Sequence, residues 1–210
     1  MMFLEKTHDL WLKLSLVQES KSIVIYWFFK GLGIVYCIAF LSLILQFDGL
    51  YGTDGILPLK QSLDAIQSSS ISWWLRPHIF FSSSDVFFWI MLLCGFISSL
   101  CMIIGLIPFV SSLLTWAIYQ SFINTSQVFL HFQWDILLCE IGFLTIFLSP
   151  LALFWKKNDE VHIPKILIWA FYLCCFRLMF FSGLVKLLSG DPLWKNFKAL
   201  EFHYWTQPLP

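Results

Sequence analysis

Four ionisable side chains lie within apolar stretches long enough to cross a bilayer, and they are the residues best placed to do chemistry. These are Asp135, Glu140, Arg177 and Lys186. A charged group is costly at the centre of a membrane and normally faces the interior of a helical bundle. Lys30 differs, because it lies near one end of its stretch and its long side chain can reach the membrane surface. The pattern predicts an intramembrane polar cluster.

Depth along the predicted helices suggests how the cluster pairs. At about 1.5 Å per residue, Asp135 matches Lys186 in depth and Glu140 matches Arg177. One straight helix pair cannot form both ion pairs, because the two acids diverge around their helix, as do the two bases. A bend at Gly183 or a third helix would resolve this. Two interpretations stay open: buried pairs that fix helix register, and a polar cavity that opens outward.

Other chemistry-bearing patterns are missing from the sequence. It contains no GxSxG, HExxH, P-loop or GxGxxG motif, and its five histidines lack metal-ligand spacing. All six cysteines lie inside apolar runs, which is typical of space-filling residues rather than of a disulfide framework. We therefore expect no metal and no cofactor.

The composition decides the class of protein. Of the 210 residues, 59% are hydrophobic and only 12% are charged, and the formal net charge is zero. A soluble domain carries about 25% charged residues, so lipid rather than water must cover much of this surface. The zero net charge also argues against nucleic acid as a partner.

Apolar periodicity predicts an all-α, multi-pass helical membrane protein with one integral membrane domain over residues 1–210. A helix needs roughly 20 apolar residues to cross the bilayer. Five predicted spans lie at about 24–46, 86–106, 108–124, 134–155 and 165–188. Before the first span, apolar residues at helical spacing between Leu10 and Val17 predict an N-terminal amphipathic helix on the membrane surface.

Basic residues near the span ends predict the orientation. With the N-terminus in the cytoplasm, seven lysines lie on the inner side, and four lysines or arginines lie on the outer side. Five spans then place a loop over 48–85 and a tail over 189–210 outside, together with the C-terminus.

The last third of the chain carries its most distinctive motifs. From Arg177 the sequence reads RLMFFSGLVKL, where the lysine is Lys186. The motifs that follow use Gly190, Asp191, Pro192 and Trp194, and then His203, Tyr204, Thr206, Gln207 and Pro208. This pattern resembles the lipase maturation factor family, in which an RLMF-type span leads through G-x-x-K-L and G-D-P-x-W into an H-Y-x-T-Q-P-L-P tail.

Two further stretches are similar to that family. One runs from Gly31 to Leu41, with Gly55 to Pro58 beyond it, and the other runs from Phe132 to Phe143. Trp205 stands where the family pattern has glutamate. Family members also continue beyond the point that corresponds to Pro210, so the resemblance implies the N-terminal membrane part of a truncated or split member.

The resemblance implies a membrane-embedded factor, not itself an enzyme, that helps secreted proteins such as lipases to mature or fold. Its partners would be the lipid bilayer and client lipases. It would act on the lumenal side of the endoplasmic reticulum membrane in a eukaryote, or on the periplasmic side of the inner membrane in a bacterium.

Two alternatives stay open. The segment from Gly183 to Lys186 is also similar to a stretch of vitamin K-dependent carboxylases, in which a lysine acts as the base, so Lys186 would be catalytic in an intramembrane enzyme. A carboxylate partner would favour the charged lysine and argues against that role. The second alternative is a transporter-like protein that binds a small molecule or quinone with Glu140 and Arg177.

Overall fold

The computed structural model describes residues 20–69, 73–159, 161 and 163–206. In that part of the chain the elements are helical, apart from an isolated antiparallel bridge between Leu106 and Phe154. The helices are α1 Ser20–Leu50, α2 Leu59–Ser68, α3 Asp85–Ile104, α4 Pro108–Thr125, α5 Gln133–Leu148, α6 Lys165–Leu188, α7 Pro192–Lys195 and α8 Ala199–Thr206. The predicted all-α class is confirmed, and the predicted N-terminal amphipathic helix lies outside the described residues.

The chain divides into two compact units, and the division falls between Ile168 and Trp169 in the sequence. The first unit holds α1 to α5, and the second holds most of α6 together with α7 and α8. The single membrane domain expected from the sequence stays a prediction, and each unit is described by itself.

Three helical stretches among the described residues are long and apolar enough to cross a membrane, so the chain is an integral membrane protein. They are Ser22–Leu50, Asp85–Ile104 and Lys165–Leu188. This corrects the expected number of five spans. α4 has 18 residues and α5 has 16, which correspond to about 27 Å and 24 Å of helix, less than the roughly 30 Å of hydrocarbon.

The fourth span, predicted over about 134–155, also extends too far toward the C-terminus. α5 ends at Leu148, and Ser149 adopts an extended conformation, as expected for a residue that precedes a proline. The following segment runs back beside the α3–α4 turn, where the Trp155 amide donates to the Gly105 carbonyl oxygen at 2.9 Å. The proline therefore replaces the last predicted helical turns by an irregular strap.

Helices α1, α3, α4 and α5 form an antiparallel bundle in chain order. Phe47 near the end of α1 packs its ring 6.3 Å from that of Phe88 near the start of α3. Gly105, with a φ of 79°, closes the tight turn into α4. At the centre, Tyr119 of α4 lies edge-on to Tyr36 and Phe40 of α1, each with ring centroids 5.5 Å apart.

The loop between α1 and α3 packs onto the end of α4. Leu59 and Leu63 of amphipathic α2 are fully buried, and the Ser62 hydroxyl donates to the Thr125 carbonyl oxygen at 2.6 Å. Further along the loop, the Asn124 side chain donates to the Pro77 carbonyl oxygen at 2.6 Å. The loop is therefore a fixed cap over this end of the bundle.

Lys30 makes its contacts at the end of the bundle opposite this loop. Its ammonium group donates to the Ile103 carbonyl oxygen and lies 4.8 Å from the centre of the Tyr26 ring. A positive charge at the C-terminus of α3 complements both the unpaired carbonyl groups and the helix dipole. The Lys30 side chain was predicted only to reach the membrane surface, but it also caps the C-terminal end of α3.

Gly95 of α3 tests how closely the bundle is packed. A Cβ at this position would overlap the Phe40 ring, whereas a Cβ at Gly31 of α1 would meet nothing within 4 Å. We expect Gly95→Ala to destabilise the protein by about 1–3 kcal/mol through overpacking, measured as a lower Tm in detergent micelles. Gly31→Ala is the control, and its greater helix propensity should leave Tm unchanged or higher. Equal Tm changes for the two variants would contradict this packing.

Candidate functional site

The four predicted intramembrane charges fall into two units of the structure. Asp135 and Glu140 lie on α5 in the first unit, and Arg177 and Lys186 lie on α6 in the second. The ion pairs expected between α5 and α6 would join the two units, so they stay predictions. Asp135 and Lys186 each make a contact inside their own unit.

Asp135 is a buried carboxyl group held by a tyrosine. It lies in the first turn of α5, where the helix dipole favours negative charge, and it is 5% exposed. The Tyr119 hydroxyl of α4 donates to Asp135 Oδ1 at 2.7 Å. This partner was missed from the sequence, where Asp135 was matched only with a basic residue.

Two further hydrogen bonds continue from Asp135 along the α4–α5 interface. Trp116 Nε1 donates to the Cys139 carbonyl oxygen at 3.1 Å, and the hydroxyls of Ser112 and Ser149 lie 3.2 Å apart. Together with the Tyr119–Asp135 contact they form a row of polar contacts, which we call the polar ladder. Along this row the residue numbers fall on α4 and rise on α5, as expected for antiparallel helices. The spacing of Tyr119, Trp116 and Ser112, at steps of three and four residues, is the signal in the sequence that could have revealed it.

Two grooves flank α5 within the first unit. One, the Asp135 groove, has a volume of about 510 Å³ and runs between α1 and α5, with Tyr51, Tyr119 and Asp135 among its lining residues. The other has a volume of about 500 Å³ and is lined by Glu140, Gln120, Asn124 and His131 together with aromatic side chains. The polar cavity proposed from the sequence therefore has two candidates.

Among the described residues, no group of three or more His, Cys, Asp or Glu side chains could hold a metal ion. Cys139 is buried, and none of the six cysteines forms a disulfide. Near the Asp135 groove, burial raises the pKa of the Tyr51 hydroxyl to about 12, so this group stays protonated at physiological pH.

Lys186 of the second unit lies over an aromatic ring. Its ammonium nitrogen is 4.9 Å from the centre of the Trp194 ring, a cation–π contact. The contact joins the end of α6 to the segment that follows it, which favours a structural role for Lys186.

The Gly-Asp-Pro motif builds the turn that brings Trp194 back to Lys186. Gly190 has a φ of 75°, which a residue with a side chain rarely adopts. The Asp191 side chain accepts a hydrogen bond from the Leu193 amide at 2.8 Å and caps α7, in which Pro192 is the first residue. The segment with the family motif G-D-P-x-W therefore reverses the direction of the chain. We name this segment the lysine–tryptophan turn (Lys186 to Trp194).

The remaining motif residues lie on or beyond α8. The rings of His203 and Tyr204 have centroids 6.0 Å apart. Thr206 ends α8, while Gln207 and Pro208 lie outside the described residues. The structure therefore assigns a local role to the first half of the tail motif.

Comparison with known proteins identifies relatives over nearly the whole chain. Residues 24–210 match the family model described as "Lipase maturation factor transmembrane domain". The chain is 36% identical to "Lipase maturation factor 2" of Xenopus tropicalis over 193 residues, which cover 87% of this chain and 27% of that protein. It is 34% identical to "Lipase maturation factor 1" of Mus musculus over 192 residues, which cover 86% of this chain and 33% of that protein. No solved structure matches.

The Tyr119–Asp135 hydrogen bond makes a testable contribution to stability. We expect Tyr119→Phe to leave the buried carboxyl group without this donor and to destabilise the protein by about 1–3 kcal/mol, seen as a lower Tm in detergent. Tyr204→Phe is the control, because Tyr204 is 68% exposed and lies outside the candidate spans, where its hydroxyl can be solvated. A Tyr119→Phe variant as stable as Tyr204→Phe would contradict a stabilising role for the polar ladder.

The lysine–tryptophan turn predicts a spectroscopic signature. After reductive methylation with isotope-labelled formaldehyde, the NMR signal of Lys186 should be shifted upfield by the ring current of Trp194, and Lys186→Arg assigns it. Trp194→Leu should move the signal to the position of exposed lysines. Trp205→Leu, which removes a tryptophan that is 88% exposed, should leave it in place. If the chemical shift of Lys186 were unchanged in Trp194→Leu, this result would contradict the cation–π contact.

Proposed function

Because this chain belongs to the lipase maturation factor family, we propose that it is a membrane-embedded factor for the maturation or folding of secreted lipases, acting on the lumenal or periplasmic side. The match to the family's transmembrane domain over residues 24–210 carries the proposal. Lipases are proposed as the clients because the relatives are named lipase maturation factors.

The chain spans about a quarter to a third of the length of the curated relatives it matches, with 27% and 33% for the two compared above. What it supplies to the proposed function is therefore the membrane-embedded part. The loop that caps α4 and the lysine–tryptophan turn lie at helix ends of that part. We propose that these two surfaces take part in binding the client.

The proposed orientation places the N-terminus in the cytoplasm and both of these surfaces outside. The excess of lysines near the predicted inner ends supports it. The revised number of spans does not affect it, because α4 and α5 are antiparallel. Whether this hairpin counts as two crossings or as none, α1, α3 and α6 leave the two chain ends on opposite sides. In a eukaryotic cell the proposed location is the endoplasmic reticulum membrane.

We propose that the protein acts by binding and positioning rather than by catalysis of its own. The contacts of the polar residues support this interpretation. Asp135 is held by Tyr119, and Lys186 lies over Trp194, so each has a partner that stabilises the local fold. The maturation role therefore rests on how the membrane part is built rather than on a reactive side chain.

Rescue of lipase secretion tests the proposed function. In cells that lack their own lipase maturation factors, we expect the chain co-expressed with a secreted lipase to raise the ratio of active to total lipase in the medium. Trp194→Leu should reduce the rescue because it opens the lysine–tryptophan turn, and Trp205→Leu is the matched control. An unchanged ratio, with the chain inserted in the membrane at normal abundance, would refute the proposal.

A further inference from the structure

The chain between α7 and α8 presents one apolar side chain between two lysines. Lys195, Asn196, Phe197 and Lys198 are all exposed, and the exposed fraction of Phe197 is 92%. We name these four residues the α7–α8 corner. A large aromatic side chain contributes to stability when it leaves water, so the exposure of Phe197 indicates a surface that covers it.

The backbone of the α7–α8 corner holds Phe197 in a strained conformation. Phe197 has a φ of 58°, in the left-handed region that favours glycine. It follows Asn196, the C-cap of α7, and the residue at this position after a helix is usually a glycine. Because local folding does not require phenylalanine here, a contact outside the chain explains its side chain better.

The α7–α8 corner lies close to the end of a candidate membrane span. α6 is long and apolar enough to cross a bilayer, and it ends at Leu188. The contact between Lys186 and Trp194 brings α7 back to the last turn of that helix. The Phe197 amide donates to the Trp194 carbonyl oxygen at 3.3 Å, which keeps the corner beside that turn. The head-group region, about 5–8 Å deep on each side of the hydrocarbon, is therefore within reach.

We propose that the α7–α8 corner inserts into the head-group region of the membrane, at the leaflet where α6 ends. The Phe197 ring lies among the lipids, and the ammonium groups of Lys195 and Lys198 donate to lipid phosphates on either side of it. Aromatic rings are typical of the membrane–water interface, and a lysine reaches a phosphate while its methylene groups stay in an apolar environment. This contact with lipid does not depend on the identity of the client.

Size and charge favour lipid over a protein as the partner of this corner. A phenylalanine side chain buries roughly 150–250 Å², whereas a stable protein interface needs about 800 Å² from each partner. The centre of a protein interface is also depleted of lysine, which here flanks the Phe197 ring on both sides. Two ammonium groups match the phosphate that phospholipids share, whatever the rest of the head group.

Depth-dependent quenching of fluorescence tests the insertion. A fluorescent aromatic amino acid replaces Phe197 in the full chain, which is reconstituted in phosphatidylcholine nanodiscs. A nitroxide on the lipid head group should quench the probe severalfold more than a nitroxide near the end of the acyl chain. Aqueous iodide should quench the probe severalfold less than it quenches the free amino acid. Full quenching by iodide, with no quenching by either lipid nitroxide, would overturn the proposal.

Paired lysine variants test the phosphate contacts. Lys195→Gln combined with Lys198→Gln should reduce quenching by the head-group nitroxide severalfold. Lys156→Gln combined with Lys157→Gln is the matched control, because these two lysines are also exposed but belong to the first unit, and it should leave the quenching unchanged. Equal quenching in the two double variants would refute the lysine–phosphate contacts.

Phe197→Gly separates loss of the lipid contact from loss of the fold. Removal of the strain at φ 58° offsets the greater freedom of glycine in the unfolded chain, so Tm in detergent should change little. After reductive methylation, the head-group nitroxide should broaden the NMR signals of Lys195 and Lys198 severalfold less in this variant than in the parent chain. Equal broadening in a stable Phe197→Gly variant would show that the ring does not anchor the corner, and the insertion would be refuted.

Discussion

Hydrocarbon offers no hydrogen bonds, so a polar group inside a membrane protein must find its partner within the protein. The polar ladder between α4 and α5 answers that constraint, with Tyr119 on Asp135 and Trp116 on the Cys139 carbonyl oxygen. These bonds also fix the register of the two helices. The Tyr119 ring in turn packs between Tyr36 and Phe40, so the register of α4 and α5 is transmitted to α1.

Some helix boundaries could be predicted from the sequence, and one could not. The starts of α3 and α4 were predictable, because the cap at Ser84 and the proline at Pro108 are local signals. The end of α5 was missed because apolar composition continues to Trp155, although Pro150 stops the helix earlier. Local chemistry therefore outweighed hydropathy at this boundary.

The candidate site shows the corresponding limit for tertiary contacts. Charge alone identified Asp135 and Lys186, but not Tyr119 or Trp194 as their partners. Aromatic residues are so frequent in this chain, at 19%, that their number carries no information about pairing. Gly190, Asp191 and Pro192 were recognised as a motif, yet only the backbone shows that they reverse the chain and place Trp194 over Lys186.

The shortness of α4 and α5 has a consequence for the surrounding lipid. Both helices expose apolar side chains, such as Leu114 and Phe147, over a length below the average hydrocarbon thickness. A hairpin that crosses the bilayer over this length draws the two leaflets together beside it, at a cost that rises with bilayer thickness. A bilayer about 27 Å thick would need little deformation, so such a hairpin costs least in a thin membrane.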